Sequence, residues 1–69
     1  MRTKQEILEE LEWKKEFYEN RIKRYNEIMI YLDVKSDDYK VYRMLKQIEE
    51  SKLEVINDLL DFINGKEDQ

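Results

Sequence analysis

Two seven-residue repeats of apolar side chains, separated by one short break, constrain this chain more than any other feature. The first runs with 3-4-3-4-3-4-3 spacing and the second with 4-3-4-3-4-3 spacing. This 3.5-residue period is typical of helices that pack side by side along their length. It predicts an all-α fold, an antiparallel hairpin of two long helices with a coiled-coil-like seam. The first repeat is Leu8, Leu11, Lys15, Tyr18, Ile22, Tyr25, Met29 and Leu32, and the second is Val41, Leu45, Ile48, Lys52, Val55, Leu59 and Phe62.

Folding the chain back at residues 33 to 36 brings the two repeats together layer by layer. The expected pairs are Met29 with Val41, Tyr25 with Leu45, Ile22 with Ile48, and Leu11 with Leu59.

Lys15 and Lys52 interrupt the apolar layers, with Lys52 expected against Tyr18 and Lys15 against Val55. We expect both lysine stems to pack while the ammonium groups reach a nearby carboxylate, Glu12, Glu19 or Glu49. The alternative is that the lysines bind an anion or fix the register of an oligomer.

Local signals place the ends of the two helices. Thr3 and Glu6 have the spacing of a capping box, and Ser36 is a second N-cap residue. Asn64 and Gly65 form a stop signal as a left-handed C-cap pair. We therefore expect one domain, residues 1–69, with helices at 4–32 and 37–64, a turn at 33–36 and a frayed tail at 65–69.

A second set of apolar side chains lies outside the two repeats. A chain of 69 residues builds only a small core, and without cysteine or histidine it has no disulfide and few ligands for a stabilising metal. We predict a homodimer that forms a four-helix bundle through these side chains. A heteromer, with Trp13 and Phe17 kept for a different protein, is the alternative. The set is Trp13, Phe17, Ile28 and Tyr31 on the first helix and Leu53, Ile56, Leu60 and Ile63 on the second.

Positive and negative charges are concentrated at opposite ends of the predicted hairpin. Residues 21–46 hold seven Lys or Arg against four Asp or Glu, a net charge of +3, so the remaining residues carry −7 of the total of −4. Two acidic rows at helical spacing account for much of this excess. We predict an acidic ridge that docks on a basic groove of another protein, and the alternative is a solvated face. The rows are Glu9, Glu12, Glu16 and Glu19, and Glu50, Glu54, Asp58 and Asp61.

Basic residues interleaved with tyrosines at the turn end give an alternative, a weak nucleic-acid binder. The acidity of the whole chain disfavours it. The residues concerned are Arg21, Lys23, Arg24, Lys40, Arg43 and Lys46.

Residue types that carry chemistry are scarce. With no histidine, no cysteine and one glycine, the chain lacks the Glu-x-x-His pairs of di-iron bundles, an activated nucleophile and a glycine-rich phosphate loop. We expect no enzymatic activity and no cofactor or metal. No apolar run approaches the roughly 20 residues that span a bilayer, and Met1 is followed by Arg2, Thr3 and Lys4. We therefore expect a cytoplasmic protein without membrane association.

The size, acidity and residue usage, with much Lys, Ile, Asn, Glu and Tyr and no Ala, resemble those of small accessory proteins of phages and mobile elements. That group includes inhibitors of host nucleic-acid enzymes. Our hypothesis is a non-enzymatic protein–protein interaction module, a small viral-type regulator or inhibitor of a larger nucleic-acid-handling protein. A purely structural oligomerisation module is the main alternative.

Overall fold

The computed structural model describes residues 2–65, which form two helices packed against each other as a hairpin. Helix α1 spans Lys4–Met29 and helix α2 spans Asp37–Ile63. The predicted all-α hairpin is therefore confirmed. No helix in this part of the chain is both long and apolar enough to cross a bilayer.

Both helices begin where their capping residues predict. The Thr3 hydroxyl accepts a hydrogen bond from the Glu6 backbone N–H at 3.1 Å and donates one to the Glu6 carboxylate at 3.2 Å. The Ser36 hydroxyl accepts from the Tyr39 N–H at 3.1 Å. Each bond from a backbone N–H satisfies a donor that the first helical turn leaves free.

Helix α1 ends at Met29, three residues before the predicted end at residue 32. The N–H groups of Tyr31 and Leu32 instead bond to the carbonyls of Ile28 and Met29, each at 3.1 Å. These i→i−3 bonds form a tighter turn directly after the end of the α-helix.

Hydrogen bonds to Asp33 stabilise the turn at which the chain reverses direction between α1 and α2. The Asp33 carboxylate accepts from the Lys35 N–H at 2.9 Å, and its carbonyl accepts from the Ser36 N–H at 2.9 Å. These short-range bonds replace helical ones, so the chain turns without proline or glycine.

The stop signal of α2 is divided between two residues. Asn64 keeps a right-handed conformation, with φ −81°, and Gly65 alone is left-handed, with φ +76°. The predicted left-handed pair is therefore wrong for Asn64. Residues 66–69 of the predicted tail lie outside the described residues.

Helix α1 packs with the face that its repeat predicts. All eight side chains of that repeat, from Leu8 to Leu32, are half-buried. The prediction for α2 is wrong by one residue position. Leu60, placed on a second face from the sequence, is only 6% exposed, whereas its neighbour Leu59 is 44% exposed.

Helix α2 therefore has an inner stripe against α1 and an outer stripe away from it. Every inner side chain is buried or half-buried, and every outer one is exposed. The inner stripe is Tyr39, Tyr42, Lys46, Glu49, Leu53, Ile56, Leu60 and Ile63; the outer stripe is Val41, Leu45, Ile48, Lys52, Val55, Leu59 and Phe62.

One predicted layer, that of Tyr18 and Lys52, is retained despite this rotation of α2. The Lys52 ammonium lies 5.9 Å from the centre of the Tyr18 ring, as the register predicts, and 3.9 Å from the Glu49 carboxylate on its own helix. Tyr25, however, faces Tyr42 at a ring distance of 6.0 Å rather than Leu45. The expected pairs of Met29, Ile22, Leu11 and Lys15 with outer-stripe residues are likewise wrong, because the two stripes are offset by one residue, or about 100° around the helix.

Candidate interaction surfaces

The outer stripe is the longest exposed apolar surface on α2. Val41 is 53% exposed, Ile48 45%, Val55 57% and Phe62 69%. Their heptad spacing places them along one side of the helix. The stripe therefore offers a second packing face of the kind that α1 already occupies on the inner side.

The predicted partner-interface residues divide between the inside and the outside of the hairpin. Leu60 is buried and the other three on α2 are half-buried on the inner stripe, so they do not form the free surface of α2. Ile28 is also half-buried. Trp13, Phe17 and Tyr31 remain exposed. The inner three are Leu53, Ile56 and Ile63.

A ladder of four side chains at i, i+4 spacing follows α1. The rings of Trp13 and Phe17 are stacked, with centroids 5.5 Å apart. The Arg21 guanidinium lies 5.5 Å from the Phe17 ring centre and 5.9 Å from that of Tyr25, within the range of cation–π attraction. The ladder continues to α2 through the Tyr25–Tyr42 contact.

Arg21 and Glu49 form an ion pair between the helices that sequence reasoning missed. The atoms Nη2 and Oε1 are 3.7 Å apart, and Glu49 is 6% exposed. Arg21 also donates a 2.8 Å hydrogen bond to the Tyr25 hydroxyl, and this bond, followed by the Glu49 charge, raises the pKa of Arg21. The available signal was the position of Glu49, seven residues from both Tyr42 and Ile56.

This pair is not fully hydrogen-bonded within residues 2–65. The second carboxylate oxygen of Glu49 and Nε of Arg21 are buried without a hydrogen-bond partner there. An unsatisfied buried polar atom destabilises a fold, so the net contribution of this pair to stability is small or unfavourable.

The acidic row of α1 lies along a single groove. Its four glutamates line a cavity of about 640 Å³ together with Trp13, Lys15 and Asn64. The row therefore forms one continuous surface, and Lys15 lies beside it. The glutamates are Glu9, Glu12, Glu16 and Glu19.

The acidic row of α2 points away from the outer stripe. Glu50 follows Ile48 by two residues, which places it about 200° around the helix. Glu50, Glu54 and Asp58 are exposed and Asp61 is half-buried. Helix α2 thus separates an apolar side from an acidic one.

The six basic residues of the turn end do not share one face. Arg21 is engaged with Glu49 inside the hairpin, and Lys46 is half-buried on the inner stripe. Lys23 points about 200° around α1 from Arg21. Arg24, Lys40 and Arg43 are exposed.

No family model, curated protein or solved structure matches this chain. Among the described residues, no group of three or more acidic side chains is arranged to hold a metal ion.

Proposed function

We propose that this protein is a non-enzymatic interaction module that docks a helical surface of another protein chain on the outer stripe of α2. The supporting observation is the weak core of the isolated hairpin. Among residues 2–65 only Glu49 and Leu60 are buried, and no side chain is fully buried.

The free energy available at the outer stripe supports the same proposal. Fully burying a Val, Leu, Ile or Phe side chain gains about 1.5–3 kcal/mol. Six such side chains, each roughly half exposed, would gain on the order of 6 kcal/mol on being covered. That gain is comparable with the whole stability of a small domain.

A partner that supplies two helices completes a four-helix bundle, the common solution for amphipathic helices of this length. The partner's helices would lie along the outer stripe, over about 32 Å from Val41 to Phe62 at 1.5 Å per residue. The purely structural form of this function is homodimerisation through the same stripe.

The acidic groove of α1 favours a second candidate function, that of a small viral-type regulator or inhibitor. Four carboxylates beside the exposed Trp13 suit a basic groove on a nucleic-acid-handling protein, and complementary charge would speed association. Changing Glu12 and Glu16 to glutamine should then weaken such binding while leaving the hairpin folded. Unchanged function in this variant would reject the candidate.

Site-specific photo-crosslinking in the native cells tests the main proposal. A photoreactive phenylalanine analogue replaces Val55 on the outer stripe, and a matched probe replaces Ile30, which is 77% exposed at the end of α1. We expect a discrete crosslinked protein from position 55 and none from position 30. No product at 55, or equal products at both positions, would overturn the proposal.

A further inference from the structure

No other surface of the described residues is an exposed apolar stripe as long as the outer stripe of α2. Its 4-3-4-3-4-3 spacing is apolar at every position except Lys52. The exposed large apolar residues within α1 are confined to its first fourteen residues, at Ile7, Trp13 and Phe17. A second α2 is therefore the complementary surface that this chain itself can provide.

The hairpin exposes more surface than a compact monomer of its mass. The chain exposes 5769 Å². A compact monomer of 8.7 kDa would expose about 4,700 Å². An elongated hairpin exposes more area than a compact monomer, and a partner that covers roughly 800 Å², as in a stable interface, would remove most of this excess.

The charge distribution selects the relative direction of two copies. The turn end, residues 21–46, carries +3 and the rest of the chain −7. Two copies with their turn ends together would bring the two acidic ends side by side. Two copies in opposite directions place each basic turn end beside the partner's acidic open end, which is favourable over distances of up to about 10 Å.

We infer that a second copy of this chain covers the outer stripe, with α2 packed antiparallel on α2 and a two-fold axis near Lys52. This inference rests on the proposed docking role of the stripe and names its occupant. The two-fold axis brings Val41 opposite Phe62 of the second copy, Leu45 opposite Leu59, and Ile48 opposite Val55.

Lys52 is compatible with a place near the axis. Its ammonium is drawn toward the inside of its own hairpin, 3.9 Å from the Glu49 carboxylate and 5.9 Å from the centre of the Tyr18 ring. Its stem remains on the stripe, as expected for a long amphipathic side chain. The two lysine charges are thus directed away from each other.

Single cysteines and a short bismaleimide crosslinker test this arrangement, since the natural chain has no cysteine. In the Lys52→Cys variant the two thiols lie near the axis and should be joined within the dimer. In the matched Phe62→Cys variant each thiol lies at a far end, opposite Val41 of the other copy. Paired thiols have an effective concentration on the order of 1 mM, so at about 10 µM protein Lys52→Cys should react roughly 100-fold faster.

The outcomes separate this inference from the function on which it rests. Equal crosslinking of both variants, or crosslinking of neither, would overturn the antiparallel homodimer. If the photo-crosslinker at Val55 then captures a different protein, the docking function stands and only its occupant is wrong. If that probe captures nothing, both proposals fail.

Discussion

Replacing Leu60 by alanine should destabilise the hairpin more than the same change at its neighbour Leu59. Leu60 is 6% exposed between the helices and Leu59 is 44% exposed on the outer stripe. Removing three carbon groups from a buried leucine costs about 2.4 kcal/mol at 0.8 kcal/mol per group, before any cavity term. Leu60→Ala should therefore cost about 2.5 kcal/mol, and Leu59→Ala about 1.3 kcal/mol in an isolated hairpin.

Urea unfolding followed by circular dichroism, at low and high protein concentration, measures both effects. The cost of Leu60→Ala should be similar at the two concentrations, because α1 covers this side chain within one chain. The cost of Leu59→Ala should grow with concentration, because a second chain covers the stripe. If Leu59→Ala is the costlier change at low concentration, our orientation of α2 is wrong.

Three further changes test local features, each by the unfolding free energy. Ser36→Ala removes the N-cap of α2 and should cost about 1 kcal/mol, whereas Ser51→Ala in mid-helix should be neutral or slightly stabilising; equal effects would contradict the capping role. Glu49→Leu should stabilise the hairpin by about 1 kcal/mol, because it removes a poorly satisfied buried charge. Arg21, whose side chain is 43% exposed, can then be hydrated. A loss of stability would show that the ion pair is net favourable. Gly65→Ala should cost about 1 kcal/mol through its positive φ alone, since an added Cβ meets nothing within 4 Å; no loss would mean that the C-cap adopts another conformation.

The fold was predictable because its signals are local and repeated. Thr3 and Ser36 set the helix starts through bonds within one turn, and the repeat of α1 alone identifies the face that packs on α2. The layer that joins Tyr18 to Lys52 follows from the position of the turn. Each of these features depends on spacing, which a sequence displays directly.

The orientation of α2 was not predictable from spacing. Its two stripes have the same period and differ by one residue, so Leu59 and Leu60 are equivalent in the pattern. The choice between them depends on polar partners across the helices, above all on Arg21 with Glu49 and Tyr25 with Tyr42. Because Lys46 and Glu49 interrupt the inner stripe and only Lys52 interrupts the outer one, apolar content favours the stripe that in fact lies outside.

Sedimentation equilibrium at micromolar concentration tests most directly the claim that the outer stripe is covered by a second chain. We expect the natural chain to sediment with twice the mass of 8.7 kDa. The Val55→Glu variant should sediment with the mass of a single chain and keep its helical circular dichroism spectrum. The matched Ile30→Glu variant, changed at an exposed position on α1, should remain at twice the single mass. A natural chain that sediments at 8.7 kDa throughout the micromolar range would contradict the account.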